Sequence, residues 1–327
     1  MTPPSSVSMD LTTPSADEDK TRGSIHFQEH RLSNRVTVDR NLVHRAATSE
    51  VLLTDWRQID EHTFLSAAQW PRGHSLYGTT DEHLDPLFVG ETIRQAGILI
   101  THVGYGVPRG HKMIMKNLKW TCEPANLRSP EGPLQCEVMI RASKVLQGRG
   151  TANGMTLDFL LKRKGQWLAE GTGMVRCLVP KVYERVRWHG EPRVIGPAPV
   201  VPPAAPGEVG RLLHRDVVLG PADESGGRDL RVVTKHPVFF DHRLDHVPGM
   251  LLFEAMRQAA VATTGGRLSS VVAAEGDFPH FVELDRTCRV VAEPLGRESD
   301  PVLVRFVQDG RVVAHGSIML CASPTGE

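Results

Sequence analysis

His246-Val247-Pro248-Gly249-Met250-Leu251-Leu252-Phe253-Glu254-Ala255-Met256-Arg257-Gln258-Ala259-Ala260 has a counterpart earlier in the chain, Asp85-Pro86-Leu87-Phe88-Val89-Gly90-Glu91-Thr92-Ile93-Arg94-Gln95-Ala96. Each stretch opens with Pro or Pro-Gly, runs into apolar residues and carries Glu-x-x-Arg-Gln-Ala. Proline suits a helix start, where its missing N–H costs nothing. Residues three and four apart share one helix face, so Glu254, Arg257 and Gln258 form a single polar stripe. Glu91, Arg94 and Gln95 repeat it. The rest of each helix is apolar, which predicts burial. A buried carboxylate beside a guanidinium is either a structural ion pair or part of a working site. Its occurrence in both copies favours a site facing a tunnel between them.

The duplication extends beyond the helices. Val43-His44-Arg45 is echoed by Leu213-His214-Arg215 (214 − 44 = 170), Trp70-Pro71 by His236-Pro237 (236 − 70 = 166) and Glu123-Pro124 by Glu293-Pro294 (293 − 123 = 170). Self-similarity over this length means a duplicated domain, not a solenoid. Between the copies, Glu191 to Glu208 holds six prolines and reads as an extended linker. After each helix the pattern turns to strands. Pro301 to Val307 and Arg311 to Leu320 flank Asp309-Gly310, a dipeptide that supplies the positive φ angles of a tight hairpin. Cys136 to Ala142, Thr156 to Lys162 and Gln166 to Ala169 read as strands of the first copy. The expected organisation is an N-terminal disordered leader over 1–24, a first domain over 25–188, the linker over 189–209 and a second domain over 210–323.

With 327 residues there is room for two ordinary domains. Lys plus Arg is 38 and Asp plus Glu is 38, so nothing marks the chain for nucleic acid or an anionic membrane. No apolar run is long enough to span a bilayer. Met1 to Gly23 lacks a secretory layout, and a cytoplasmic protein is expected. Cys122, Cys136, Cys177, Cys288 and Cys321 form no close pair and read as free thiols.

One apolar helix followed by antiparallel strands in each copy is the α+β pattern of a sheet wrapped around a helix. This hotdog arrangement, present twice, makes a tandem pseudo-dimer. Phe239 to Met250, continuing into Glu254-Ala255-x-Arg257-Gln258-Ala259, resembles the A-factor (γ-butyrolactone) synthase family of bacterial signal-making enzymes. Asp85-Pro86-Leu87 to Arg94-Gln95-Ala96-Gly97, followed by His102 and Gly106-Val107-Pro108, resembles it too. More distantly, the Pro-Gly helix start is similar to that of the β-hydroxyacyl-carrier-protein dehydratases. Those enzymes carry a histidine about fourteen residues before the helix carboxylate; here Phe240 stands at that spacing (254 − 240 = 14), which argues against dehydration.

The resemblance implies acyl transfer from a β-ketoacyl thioester on acyl carrier protein to the hydroxyl of dihydroxyacetone phosphate, without a redox cofactor. The product would feed a γ-butyrolactone, butenolide or furan-type signal. On that reading Glu254 is the base, Glu91 is a second base or positions the arginines, and Gly249 offers an N–H to the thioester oxygen. Asp85-Pro86 lacks the glycine, so the second helix is expected to hold the better oxyanion site. Arg257, with Arg243 or Arg94, would grip the phosphate, with His242 and Gln258 in substrate contact. Asp241, His242, Asp245 and His246 lie close in sequence, yet Pro248-Gly249 makes their stretch a loop, so no metal site is assigned. A hotdog thioesterase or dehydratase, or a non-catalytic protein that binds a fatty-acyl or lactone ligand, are the rival readings.

Overall fold

The computed structural model describes residues 32–80, 82–129, 131–148, 150–191, 193–297 and 300–322. The leader expected over 1–24 and Pro192 of the linker lie outside them.

Both predicted helices form, α1 over Leu87–Val103 and α3 over Gly249–Thr263, and Pro86 and Pro248 sit one residue ahead of them as N-caps. Their burial follows from composition. Among the residues of α3 only the two ends escape enclosure, and Glu254, Arg257 and Gln258 are covered together with the Met, Leu and Phe side chains.

The first half contributes β1 (Leu53–Gln58), β2 (Thr63–Trp70), β3 (Thr79–Thr80), β4 (His83–Leu84), β5 (Lys112–Cys122), β6 (Leu134–Gln147), β7 (Ala152–Arg163) and β8 (Gln166–Leu178). The second contributes β9 (Leu219–Ala222), β10 (Arg228–Leu230), β11 (Ser270–Asp277), β12 (Arg289–Pro294), β13 (Val302–Gln308) and β14 (Arg311–Cys321). Apart from the β3–β4 pair, these strands form one antiparallel sheet in the order β1-β2-β6-β7-β8-β5-β11-β14-β13-β12-β10-β9. Read outward from its middle, the order is the same on both sides, a helix-to-sheet pseudo-dimer. The seam is β5 against β11, running from Thr121↔Ala273 to Asn117↔Asp277. Burial alternates along β6 and β13, as expected of strands with one face on a helix.

The hairpin turns have the predicted chemistry. Asp309 (φ 52°) and Gly310 (φ 73°) close β13 on β14, and Lys164 (φ 51°) and Gly165 (φ 80°) close β7 on β8. Two consecutive positive φ values define the mirror-image turn whose twist matches the strands. Residues 193–205 carry neither helix nor strand, and Val194 and Val200 stand almost fully exposed there.

One helix has no counterpart in the sequence reading. α2 (Pro180–Trp188) follows β8 and docks on the second half. The Tyr183 hydroxyl donates to the Asp245 carboxylate, and the Arg187 guanidinium donates to Glu283 and the Asp245 carbonyl while covering the Phe281 ring at 4.3 Å.

Candidate active site

Each helix stripe is the middle of a larger polar net. Glu91 accepts from Arg94 Nε (2.9 Å) and Nη2 (2.8 Å), from Gln95 Nε2 (2.6 Å) and from Arg45 Nη2 (2.6 Å). Glu254 accepts from Arg257 Nε (3.0 Å) and Nη2 (2.8 Å), from Gln258, and from Arg211 Nε (2.7 Å) and Nη2 (2.6 Å). Gln95 and Gln258 then bond the backbone around Leu52 and Val218. The third nitrogen of each loop arginine crosses to the opposite half: Arg45 Nη1 donates to the Val238 carbonyl (3.0 Å) and Arg211 Nη1 to the Leu76 carbonyl (2.9 Å). The two nets are therefore reciprocal clasps between the halves.

These partners correct two sequence-level expectations. Arg45 corresponds to Arg211 (211 − 45 = 166), as Leu52 does to Val218 (218 − 52 = 166), so the His44/His214 echo is shifted by four residues. Likewise His236, bonding the Val238 and Phe239 amides and Asp216, repeats what His74 does with Leu76, Tyr77 and Glu50, and does not stand at Trp70. The second correction concerns charge. Glu254, expected as the base, would need a carboxylate that gains and loses a proton readily. Burial does push both carboxylates upward, but Arg45 with Arg94, and Arg211 with Arg257, outweigh it. Glu91 falls to about 2 and Glu254 lies still further below the ordinary carboxylate range.

A cavity of about 210 Å³ opens between the middle of α1 and the start of α3. Arg94, His44 and His242 line one part of it, Ile93, Leu157 and Phe159 another, and Pro248, Gly249 and Met250 bring the start of α3 to it. No side chain caps α3. At α1 the corresponding donor is spent, because Asp85 Oδ1 accepts from Leu87 N–H at 2.9 Å. That end is also filled: Trp70 stacks on Phe88 at 5.4 Å, and Tyr77 packs against the same ring at 5.2 Å. A Cβ on Gly249 would come within 2.2 Å of Met115 Cε, so glycine leaves room for that side chain beside the helix start. A second cavity, of about 410 Å³, shares Met115, Met174, His246 and Gly249 with the first and is walled by Phe278, Phe281 and Val282.

Of the residues expected at a site, Gly249, Arg94 and His242 line the first cavity. Glu91, Glu254, Arg257 and Gln258 lie behind it in the clasps and line neither cavity, and Arg243 is exposed and lines neither. Burial and Arg94 keep the His242 imidazole below its ordinary pKa. Asp241 receives the Ala46 and Ala47 amides, Asp245 receives Tyr183, and His246 Nδ1 meets Asp245, so these residues hold the loop before α3. Among the described residues no group of three or more His, Cys, Asp or Glu is placed to hold a metal ion. The four cysteines Cys122, Cys136, Cys177 and Cys288 are free and buried, and Cys321 is free and half-buried.

Sequence reasoning missed Tyr77, Arg211 and the parts that His44 and Arg45 play. His44 was visible only as part of an echo, and a phenol in the Leu76-Tyr77 loop carries no motif. Among the described residues no helix is long and apolar enough to cross a membrane.

Known proteins are similar to this chain along most of its length. A 2-oxo-3-(phosphooxy)propyl 3-oxoalkanoate synthase of Streptomyces virginiae is 39% identical over 259 residues, spanning 79% of this chain and 88% of that protein. A protein of the same name from Streptomyces coelicolor is 35% identical over 256 residues, spanning 77% and 80%. A solved acyl-ACP thioesterase from Bacteroides thetaiotaomicron aligns with a TM-score of 0.49 at 11% identity, over 79% of this chain and 98% of that one. The model of the A-factor biosynthesis hotdog domain matches residues 26–179 and again 196–324, one match for each helix and its half of the sheet, and the chain belongs to that family.

Proposed function

We propose that this protein is an acyltransferase that moves a β-ketoacyl group from a thioester to the hydroxyl of dihydroxyacetone phosphate, on the way to a γ-butyrolactone, butenolide or furan-type signalling molecule. The printed name of the Streptomyces relatives describes that ester, a 3-oxoalkanoate carried on a 2-oxo-3-(phosphooxy)propyl group. The observation that carries the reading is a cavity with a basic end, apolar walls and an uncapped helix start on the same space.

Each part answers one demand of the chemistry. The N–H groups opening α3, at Gly249 and its neighbour, donate hydrogen bonds to the thioester oxygen and to the oxyanion formed when the carbonyl is attacked. Ile93, Leu157 and Phe159 take the acyl chain. Arg94, whose Nη1 is not engaged with Glu91, takes the phosphate together with His242. Arg257 and Arg243, expected at the phosphate, are given no contact with it here, since one is locked on Glu254 and the other faces solvent. Glu91 and Glu254 anchor the helices and arginines and take no proton. The second cavity, with Lys116, Arg176 and His280 among its lining, admits the arm of the acyl donor, which we place on acyl carrier protein in the cytoplasm. Acyl transfer changes no oxidation state and calls for no redox cofactor.

The test is direct. The purified protein is incubated with a β-ketoacyl thioester, with and without dihydroxyacetone phosphate, and the products are read by mass spectrometry. Formation of the phosphorylated ester is expected. Free β-keto acid at the same rate with and without the alcohol would mean a thioesterase instead, and tight lactone binding without turnover would mean a receptor.

A further inference from the structure

His44 occupies a backbone conformation that its side chain does not favour. Its φ is +53°, a left-handed value in which the Cβ of a non-glycine residue crowds the backbone carbonyl. The corresponding residue of the second half (210 − 44 = 166) is Gly210, with φ +66°. One half thus carries glycine in this conformation and the other carries an imidazole. Strain retained where a neighbouring copy shows it is avoidable points to use.

The ring is also oriented. His44 Nε2 lies 2.9 Å from His102 Nε2, and His102 Nδ1 lies 2.6 Å from the Val107 carbonyl oxygen. A carbonyl only accepts, so His102 Nδ1 carries its proton and its Nε2 offers the lone pair. His44 Nε2–H then donates to it, which leaves His44 Nδ1 as the basic nitrogen. His44, unlike His102, lines the first cavity, beside Arg94 and His242. An independent mark of a polar ligand sits in the same cavity: the hydroxyl of Tyr77, a residue only 1% exposed, has no hydrogen-bond partner. A buried phenol without a partner is costly unless something that binds there completes it.

Building on the acyl-transfer reading above, we propose that His44 is the catalytic base of that reaction, that His102 positions it, and that Tyr77 donates to an oxygen of the bound substrate. His44 Nδ1 takes the proton of the attacking hydroxyl as its oxygen bonds to the thioester carbon. The carbonyl electrons move to the oxyanion at the start of α3. When the tetrahedral adduct collapses, the C–S bond breaks and the departing thiolate receives the proton from the imidazolium. Burial first, then His102, Arg94 and His242, hold the imidazole well below its ordinary pKa, at about 3, so the ring is neutral. A phosphate brought against Arg94 and His242 opposes the part of that depression due to their charge and raises the basicity of the ring when the acceptor arrives. Dihydroxyacetone without its phosphate should therefore show a lower kcat, beyond any rise in KM.

The experiment uses His44→Gly, which relieves the strained φ and matches the glycine at position 210, with folding checked by circular dichroism. With the full-length protein, kcat for ester formation should fall at least about 100-fold while KM for the thioester changes little, and added imidazole should restore part of the rate. His102→Phe should lower kcat, and His102→Gln, which keeps a hydrogen-bonding atom, should recover part of it. Wild-type kcat in His44→Gly, or a loss confined to KM with no response to imidazole, would overturn the assignment while leaving acyl transfer standing. Failure of the wild-type protein itself to make the ester would instead remove the functional reading, and this assignment with it.

Discussion

Glu91 and Glu254 show what a second guanidinium does to a buried carboxylate. Desolvation alone would raise each carboxylate; with two arginines beside it, attraction prevails and the anion becomes a structural part. Glu254→Gln accordingly removes the buried carboxylate that Arg211 and Arg257 share, leaving Arg211 with Asp85 at 3.3 Å, and a stability loss of about 3–5 kcal/mol is expected in urea unfolding. A loss of turnover at unchanged stability would return Glu254 to a chemical role. The pH dependence has a definite sign. A carboxylate whose folded pKa is depressed contributes stability above its unfolded pKa and loses it as pH falls. For Glu91 that window runs from pH 4.5 down to about 2. Unfolding midpoints measured across it should decline more steeply in the wild-type protein than in Glu91→Gln. Neither arginine partnership was legible in the sequence. Arg45 lies 46 residues from Glu91 and Arg211 lies 43 from Glu254, in loops whose path no local pattern dictates.

At the scale of elements, helix starts and turns were readable because their chemistry is local. Proline ahead of an apolar run and Asp-Gly between alternating strands need no distant partner. α2 escaped because Pro180 to Trp188 is short and largely polar on its own, and its helix is held from outside by Asp245, Glu283 and Phe281. Arg187 is the centre of that contact, with its guanidinium covered. Arg187→Ala should cost about 1.5–3 kcal/mol, the worth of hydrogen bonds to a charged group, measured by denaturant titration. It should also raise amide exchange in the loop before α3, which α2 braces through Asp245. Unchanged exchange there would show that α2 is only an appendage.

For the whole molecule, the seam and the clasps make two copies one folding unit. β5 and β11 share a ladder, and each loop arginine bonds a carbonyl of the other half. All five tryptophans, Trp56, Trp70, Trp120, Trp167 and Trp188, belong to the first copy, and Trp120 on the seam and Trp188 on α2 also sense the second half, so their fluorescence follows chiefly the first half and its contact with the other. Its unfolding transition should coincide with the far-UV circular dichroism transition, which follows both halves; two separated transitions would show that the copies unfold independently. What the sequence alone determined was a duplicated unit with a buried, charged helix and antiparallel hairpins, since period and turn chemistry are written in neighbouring residues. Packing across the halves settled the rest: how both copies wall one cavity, which arginines hold the carboxylates, and that His44 stands where the other copy has Gly210. Those outcomes depend on which rings fill one helix start and leave the other free, and that is settled by packing between residues far apart in the chain.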